Sequence, residues 1–290
     1  MEHTTLIHRP TLRRPFLLAA FEGWNDAGVA ASTAVGFLAD ALGAETFARI
    51  DPEEFYDFQV TRPTSQFDDG VGRRISWPSV EFQAVRLPDS PHDLILLRGH
   101  EPNMRWRTFT HEILELGERL GVEMVITVGA LLADVPHTRP VQVVGSTSDP
   151  ALASELNLPT SRYEGPTGIL GVLADSALKA ATPSVSFWAA LPHYVQAPNP
   201  RAALALVERL RSLLSLPVDT SPLAEETAAF DATMADTVSD DPELASFVER
   251  LEAQADDQDP DERPSLADLA PDQFVAEVEQ FLRDHPGGRS

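Results

Sequence analysis

Cysteine is absent from this chain. That excludes a disulfide framework, a thiolate nucleophile and any Cys-based metal site. Lysine is almost absent: Lys179 is the single copy, so nearly every cation is an arginine. The arginine bias fits a GC-rich genome, or arginines chosen for anion recognition. It also confines side-chain amine modification to Lys179. No apolar run approaches the roughly 20 residues that a membrane helix needs. The first fifteen residues carry His3, His8, Arg9, Arg13 and Arg14 without an apolar stretch, which predicts no secretory leader and a cytoplasmic protein. Catalytic templates are missing too. There is no G-x-S-x-G elbow, and Glu115 stands where the second His of an H-E-x-x-H motif would follow His111-Glu112. No His set has zinc spacing, so neither a metal nor a cofactor is expected.

What is present suffices for a large core: 290 residues, 43% of them hydrophobic. The net charge is −23 and uneven. Residues 217–290 hold 20 acidic side chains against 4 arginines, −16, which leaves −23 + 16 = −7 for residues 1–216. Such a surface repels phosphate backbones and argues against nucleic-acid binding.

Residues 1–216 alternate between strand and helix patterns. Strands are expected at Phe16–Ala20, Glu45–Ile50, Phe55–Val60, Leu94–Arg98, Glu123–Val128, Val141–Val144 and Val185–Leu191. An antiparallel pair is expected from Arg73–Pro78 with Val80–Leu87. Helices are expected at Ala27–Leu42, Arg105–Leu120, Ile169–Ala181 and Arg201–Leu214, with a short one opened by Asp149-Pro150. Gly43 and Gly121 stand where helices end. This order predicts a three-layer α/β/α domain around a mostly parallel sheet. Residues 217–290 read as an acidic helical extension. It has helical apolar spacing at Leu244, Phe247, Val248 and Leu251, and again at Phe274, Val275, Val278, Phe281 and Leu282. The polar stretch Asp256–Pro264 lies between. Helices this short need a larger surface to pack on, in the same subunit or a neighbour.

Four turns after strands or before helices could carry chemistry. Phe21-Glu22-Gly23-Trp24-Asn25-Asp26-Ala27-Gly28 puts two glycines and two polar side chains at a helix start. Asn25, Asp26 and backbone N–H groups could line a ligand or partner surface, or Asp26 could serve only as a cap. Gly165-Pro166-Thr167-Gly168-Ile169-Leu170-Gly171 could cradle an anion, or permit close packing; its spacing is neither dinucleotide-type nor a P-loop. Arg98 to Trp106 gathers His100, Glu101 and Arg105. Asp134, His137 and Arg139 follow another buried strand, where His137 could act as a base or pair for structure.

Taken in order, Phe21–Gly28, Gly99-His100-Glu101-Pro102 with Trp106, Val128-Gly129-Ala130, Gly165-Pro166-Thr167-Gly168 and Leu191-Pro192-His193-Tyr194-Val195 resemble the proteasome assembly chaperone family in its actinobacterial form. The resemblance runs from about residue 16 to 215. It implies a fold similar to nucleoside phosphorylases and a homo-oligomer, expected as a trimer. Eukaryotic relatives are non-enzymatic chaperones that dock through a C-terminal hydrophobic–Tyr–any tripeptide; Gly287-Gly288-Arg289-Ser290 lacks it. The leading expectation is a non-catalytic chaperone-like or scaffold protein that binds itself and other proteins. Gly23, Trp24, Asn25, Asp26, Arg105, Trp106, Gly165, Thr167 and Gly168 are its contact candidates. The alternative is a small-molecule binder or hydrolase/transferase for a nucleoside- or phosphate-type ligand, using Asp26, His100, Glu101 or His137.

Overall fold

The computed structural model describes residues 1–68, 72–195 and 197–257. Its centre is an eight-stranded mixed sheet. In chain order the strands are β1 (Thr4–Leu6), β2 (Phe16–Glu22), β3 (Glu45–Ile50), β6 (Val80–Val85), β7 (Leu94–His100), β8 (Met124–Ala133), β9 (Val143–Ser146) and β10 (Ser184–Pro192). A separate two-stranded ribbon supplies β4 (Thr64–Asp68) and β5 (Gly72–Ser76). The spatial order is β1-β3-β6-β7-β2-β8-β10-β9. The inner four, β7-β2-β8-β10, are parallel, and both flanks pair antiparallel. Five strands, the inner four and β3, therefore run the same way.

Seven α-helices are described: α1 (Ala30–Ala41), α2 (Trp106–Leu120), α3 (Pro150–Leu156), α4 (Ile169–Lys179), α5 (Pro200–Leu214), α6 (Ser221–Asp240) and α7 (Pro242–Asp256). Alternation along β2 explains the layers. Leu18 and Ala20 join a core with Ala31, Leu38, Leu206 and Val207 of α1 and α5. Leu17, Ala19 and Phe21 join another with Phe109, Ile113, Leu170 and Leu173 of α2 and α4. Both sheet faces are thus covered, as parallel strands require.

Three expectations change. Phe55–Val60 is no strand: Asp51 accepts from the Glu53 N–H and Pro52 starts a 3-10 turn, which buries Phe55 against Phe109 at 5.3 Å. Arg73–Pro78 does not pair with Val80–Leu87. β5 folds back on β4, while β6 lies between β3 and β7 and fills the sheet. The first helix does not run unbroken from Ala27: Gly28 and Val29 take positive φ of 56° and 47°, and α1 begins at Ala30. Apolar spacing also gave no sign of α6, whose buried side is only Leu223, Thr227 and Met234. The Leu244–Leu251 pattern is α7, buried at Val248 and Leu251. The Phe274–Leu282 pattern lies outside the described residues. No helix among the described residues is long and apolar enough to cross a membrane.

Candidate functional site

The carboxyl ends of β2, β7 and β8 face the amino end of α4, and three of the four sequence turns meet there. After Glu22 the chain turns at Gly23 (φ 126°), and the Asp26 N–H closes the turn on the Gly23 carbonyl at 3.0 Å. A Cβ at Gly23 would lie 3.3 Å from that of Glu101. The Asn25 carbonyl accepts from the Ala130 N–H at 2.8 Å, carrying the β2–β8 pairing past the turn. Asn25 itself is buried, with 1% exposure.

Glu101 ties the turns together. Its Oε1 accepts from Asn25 Nδ2 and from the Ile169 N–H, each at 2.8 Å. The internal carboxylate thereby takes the place at the start of α4 where the Gly165–Gly168 turn could have held an external anion. Gly168 is needed for closeness: a Cβ there would lie 2.7 Å from Asn25 Cγ and closer still to its amide atoms. The partner is thus the Asn25 side chain rather than the sheet. Thr167 packs on Gly171 in the same way, and Gly165 on the Tyr163 ring.

Asp26 caps α1. Its Oδ1 accepts from the Ala31 and Ser32 N–H groups at 2.7 and 3.2 Å. Burial raises its carboxyl above the usual range, Glu22 adds to the rise, and the helix N–H groups oppose it. Among the described residues, Asp26 Oδ2 and Asn25 Oδ1 are buried without a hydrogen-bond partner. His100 Nδ1 lies 3.1 Å from Glu22 Oε2 at the surface, and the buried Tyr56 hydroxyl donates to the His100 carbonyl at 2.6 Å. Burial, then Glu22 and Glu101, push the Tyr56 hydroxyl up. Arg105 pairs with Glu54 and lies over the Phe55 ring; Trp106 Nε1 donates to the Pro102 carbonyl at 2.6 Å. At this end of the sheet Trp24 (49%), Val29 (40%), Met104 (43%) and Leu132 (39%) are exposed apolar side chains.

His137 belongs to a different cluster. Its N–H donates to the Tyr194 hydroxyl at 2.7 Å, and that hydroxyl is also 2.7 Å from Nδ1. Burial first, and Arg201 second, lower the His137 pKa. The Tyr194 ring meets Phe247 of α7, while Thr138 and Arg139 bind Glu252 and Asp256. Asp134 is 3.9 Å from His193, not from His137. Sequence reading places Tyr194 in a strand-end loop without its contact to His137 and gives Tyr56 no role, because those contacts lie 57 and 44 residues away. At the far end of α4, Lys179 is exposed and pairs with Asp175 at 2.6 Å.

A mixed α/β sandwich with interlocked loops at the ends of its parallel strands defines the class of protein. Within that class the chain belongs to the PAC2 family, whose model matches residues 20–238. A PAC2 family protein from Streptomyces avermitilis is 50% identical over 81% of this chain and 99% of its own, with a TM-score of 0.75. A proteasome-assembly chaperone homologue from Mycobacterium tuberculosis is 46% identical over 80% of this chain and 99% of its own, at a TM-score of 0.73. A Mycobacterium tuberculosis protein of unknown function is 31% identical, covering 88% and 91%, at 0.78. No protein with a curated description matches the chain significantly.

Proposed function

We propose that the chain is a non-catalytic, chaperone-like protein that works as a homo-oligomer, a trimer by family resemblance, and binds other proteins through the strand-end face. One observation carries this reading. Glu101 fills the start of α4 and holds Asn25, so the three turns are tied together and present an apolar rim outward. Trp24, Arg105 and Trp106 are the rim's contact candidates, braced from behind by Gly23, Asn25, Asp26, Gly165, Thr167 and Gly168. The relative described as a proteasome-assembly chaperone homologue supports proteasome subunits as the class of partner. Residues 1–216 are taken as the core and 217–290 as its extension, a division supported by the charge difference. The protein acts in the cytoplasm, away from membranes and nucleic acid.

The test is binding to purified, unassembled proteasome subunits by interferometry. The expected result is saturable binding that Trp24→Ala weakens roughly tenfold, as interface tryptophans do. Absence of binding, or equal affinity for wild type and variant, sinks the reading. A small-molecule site has one observation in its favour, the unpartnered oxygens of Asn25 and Asp26. Both are acceptors, so a ligand there would donate hydrogen bonds; a phosphate or other anion is disfavoured.

A further inference from the structure

The β4–β5 ribbon stands apart from the sheet. Its pairing, Phe67 opposite Arg73 and Ser65 opposite Ile75, sorts its side chains by face. One face carries Ser65, Phe67, Arg73 and Ile75, and the same alternation reaches Trp77. The other carries Thr64, Gln66, Arg74 and Ser76. This is the in/out pattern of an antiparallel sheet that packs one side on a core. Here the apolar side is open: Phe67 is 82% exposed, Ile75 52% and Trp77 50%. Among the described residues its root is braced where Phe58 meets Trp77 at 4.7 Å, and Arg73 lies over the Phe67 ring at 5.8 Å. A two-stranded ribbon is marginal in water unless its apolar side is covered, and scattered exposure does not account for apolar residues gathered on one face.

Charge says what covers it. Residues 62–77 hold Arg62, Arg73 and Arg74 against Asp68 and Asp69, a net 3 − 2 = +1 in a chain of −23. The acidic counterpart is on every copy. On α6 the buried side is Leu223, Thr227 and Met234. The exposed Glu225, Glu226, Asp236 and Asp240 fall on another side at helical spacing, with the small Ala229 between them.

We propose that the β4–β5 ribbon is an assembly arm: its Phe67–Arg73–Ile75 face seats on the acidic side of α6 of a second copy of this chain. The contact joins two different elements, so it either repeats head-to-tail around a ring or is exchanged reciprocally across a two-fold axis. The proposal rests on the self-association read above but names the surface that makes it.

The experiment is sedimentation velocity on the full chain. Wild type sediments as an oligomer whose dissociation constant rises with salt. Phe67→Ser with Ile75→Ser weakens assembly roughly tenfold or more while the circular dichroism spectrum is unchanged. Arg73→Glu and Glu225→Arg with Glu226→Arg each weaken it, and combining both reversals in one chain restores it. A monomeric wild type overturns both the arm and the self-association. An oligomer untouched by the Phe67/Ile75 change overturns the arm alone. Should that variant misfold, hydrogen exchange on wild type decides: amides of residues 72–76 exchange faster on dilution if the arm is an interface, and concentration-independent exchange overturns it.

Discussion

Glu101 accepts from Asn25 Nδ2 and from the Ile169 N–H, each at 2.8 Å, and so joins turns that lie far apart along the chain. The sequence marks the Gly23–Asp26 turn, the Glu101 loop and the Gly165–Gly168 turn as separate features, and all three converge. What pattern could not supply is that Glu101 reaches across to the Ile169 N–H, 68 residues on, and fills the place an anion would take. Long-range hydrogen bonds leave no trace in local spacing. Asp26 was legible as a cap because Asp before a helix satisfies orphan N–H groups. Its raised pKa was not, because it depends on burial. The fold holds the Asp26 proton more tightly than the unfolded chain does, so the buried carboxylate costs nothing below the unfolded value of about 4 and destabilises as pH climbs past the folded value. Asp26→Asn keeps an oxygen for the Ala31 and Ser32 N–H groups and removes the charge. Its stability relative to wild type is expected to improve from about pH 4 to pH 7. The gain is about 1.4 kcal/mol for every tenfold by which folding tightens the hold on that proton, read by urea denaturation at each pH. A flat difference across that range would contradict a buried, proton-binding Asp26.

At the level of elements, the strands and helices that build the sheet were legible because each buries an apolar run or stripe. Three that were misread have other causes. The 3-10 turn at Pro52 is set by a capping Asp51, which overrides the strand character of Phe55 and Tyr56. The β4–β5 ribbon leaves Phe67 and Ile75 exposed instead of buried in the sheet, so their apolar character does not show which strand β5 pairs with. α6 is long but buries little, so its periodicity is faint. Such helices form a separate, less stable unit. α7 is expected to behave so: Leu251, only 4% exposed, is one of its two buried anchors. Leu251→Ala should speed amide exchange across residues 244–256 at least tenfold, because losing a buried leucine costs about 2–5 kcal/mol. Exchange in β2 and β8 should stay unchanged. Equal acceleration in β2 would mean that α7 unfolds only with the core.

For the whole molecule, fold class was the most readable property, since alternation of strand and helix patterns constrains layers strongly. The antiparallel flanks were not readable, because strand direction at an edge depends on which neighbour it meets. Charge is the other global property. At −23, like charges repel throughout the compact state. Salt shortens the Debye length from about 30 Å at 0.01 M to about 10 Å at 0.1 M. The melting temperature at a fixed, low protein concentration is therefore expected to rise across that range in scanning calorimetry; a fall would show that attractive ion pairs such as Arg13–Asp93 outweigh the repulsion.

α4 begins against Glu101 at the strand-end face and ends at Lys179, the chain's only lysine, toward the opposite end of the sheet. With no cysteine to compete, an amine-reactive surface has one side chain to grasp. With the Met1 amine paired to Glu115, molecules charged onto a sensor chip through Lys179 would stand the same way up, with the Trp24 rim turned toward solution.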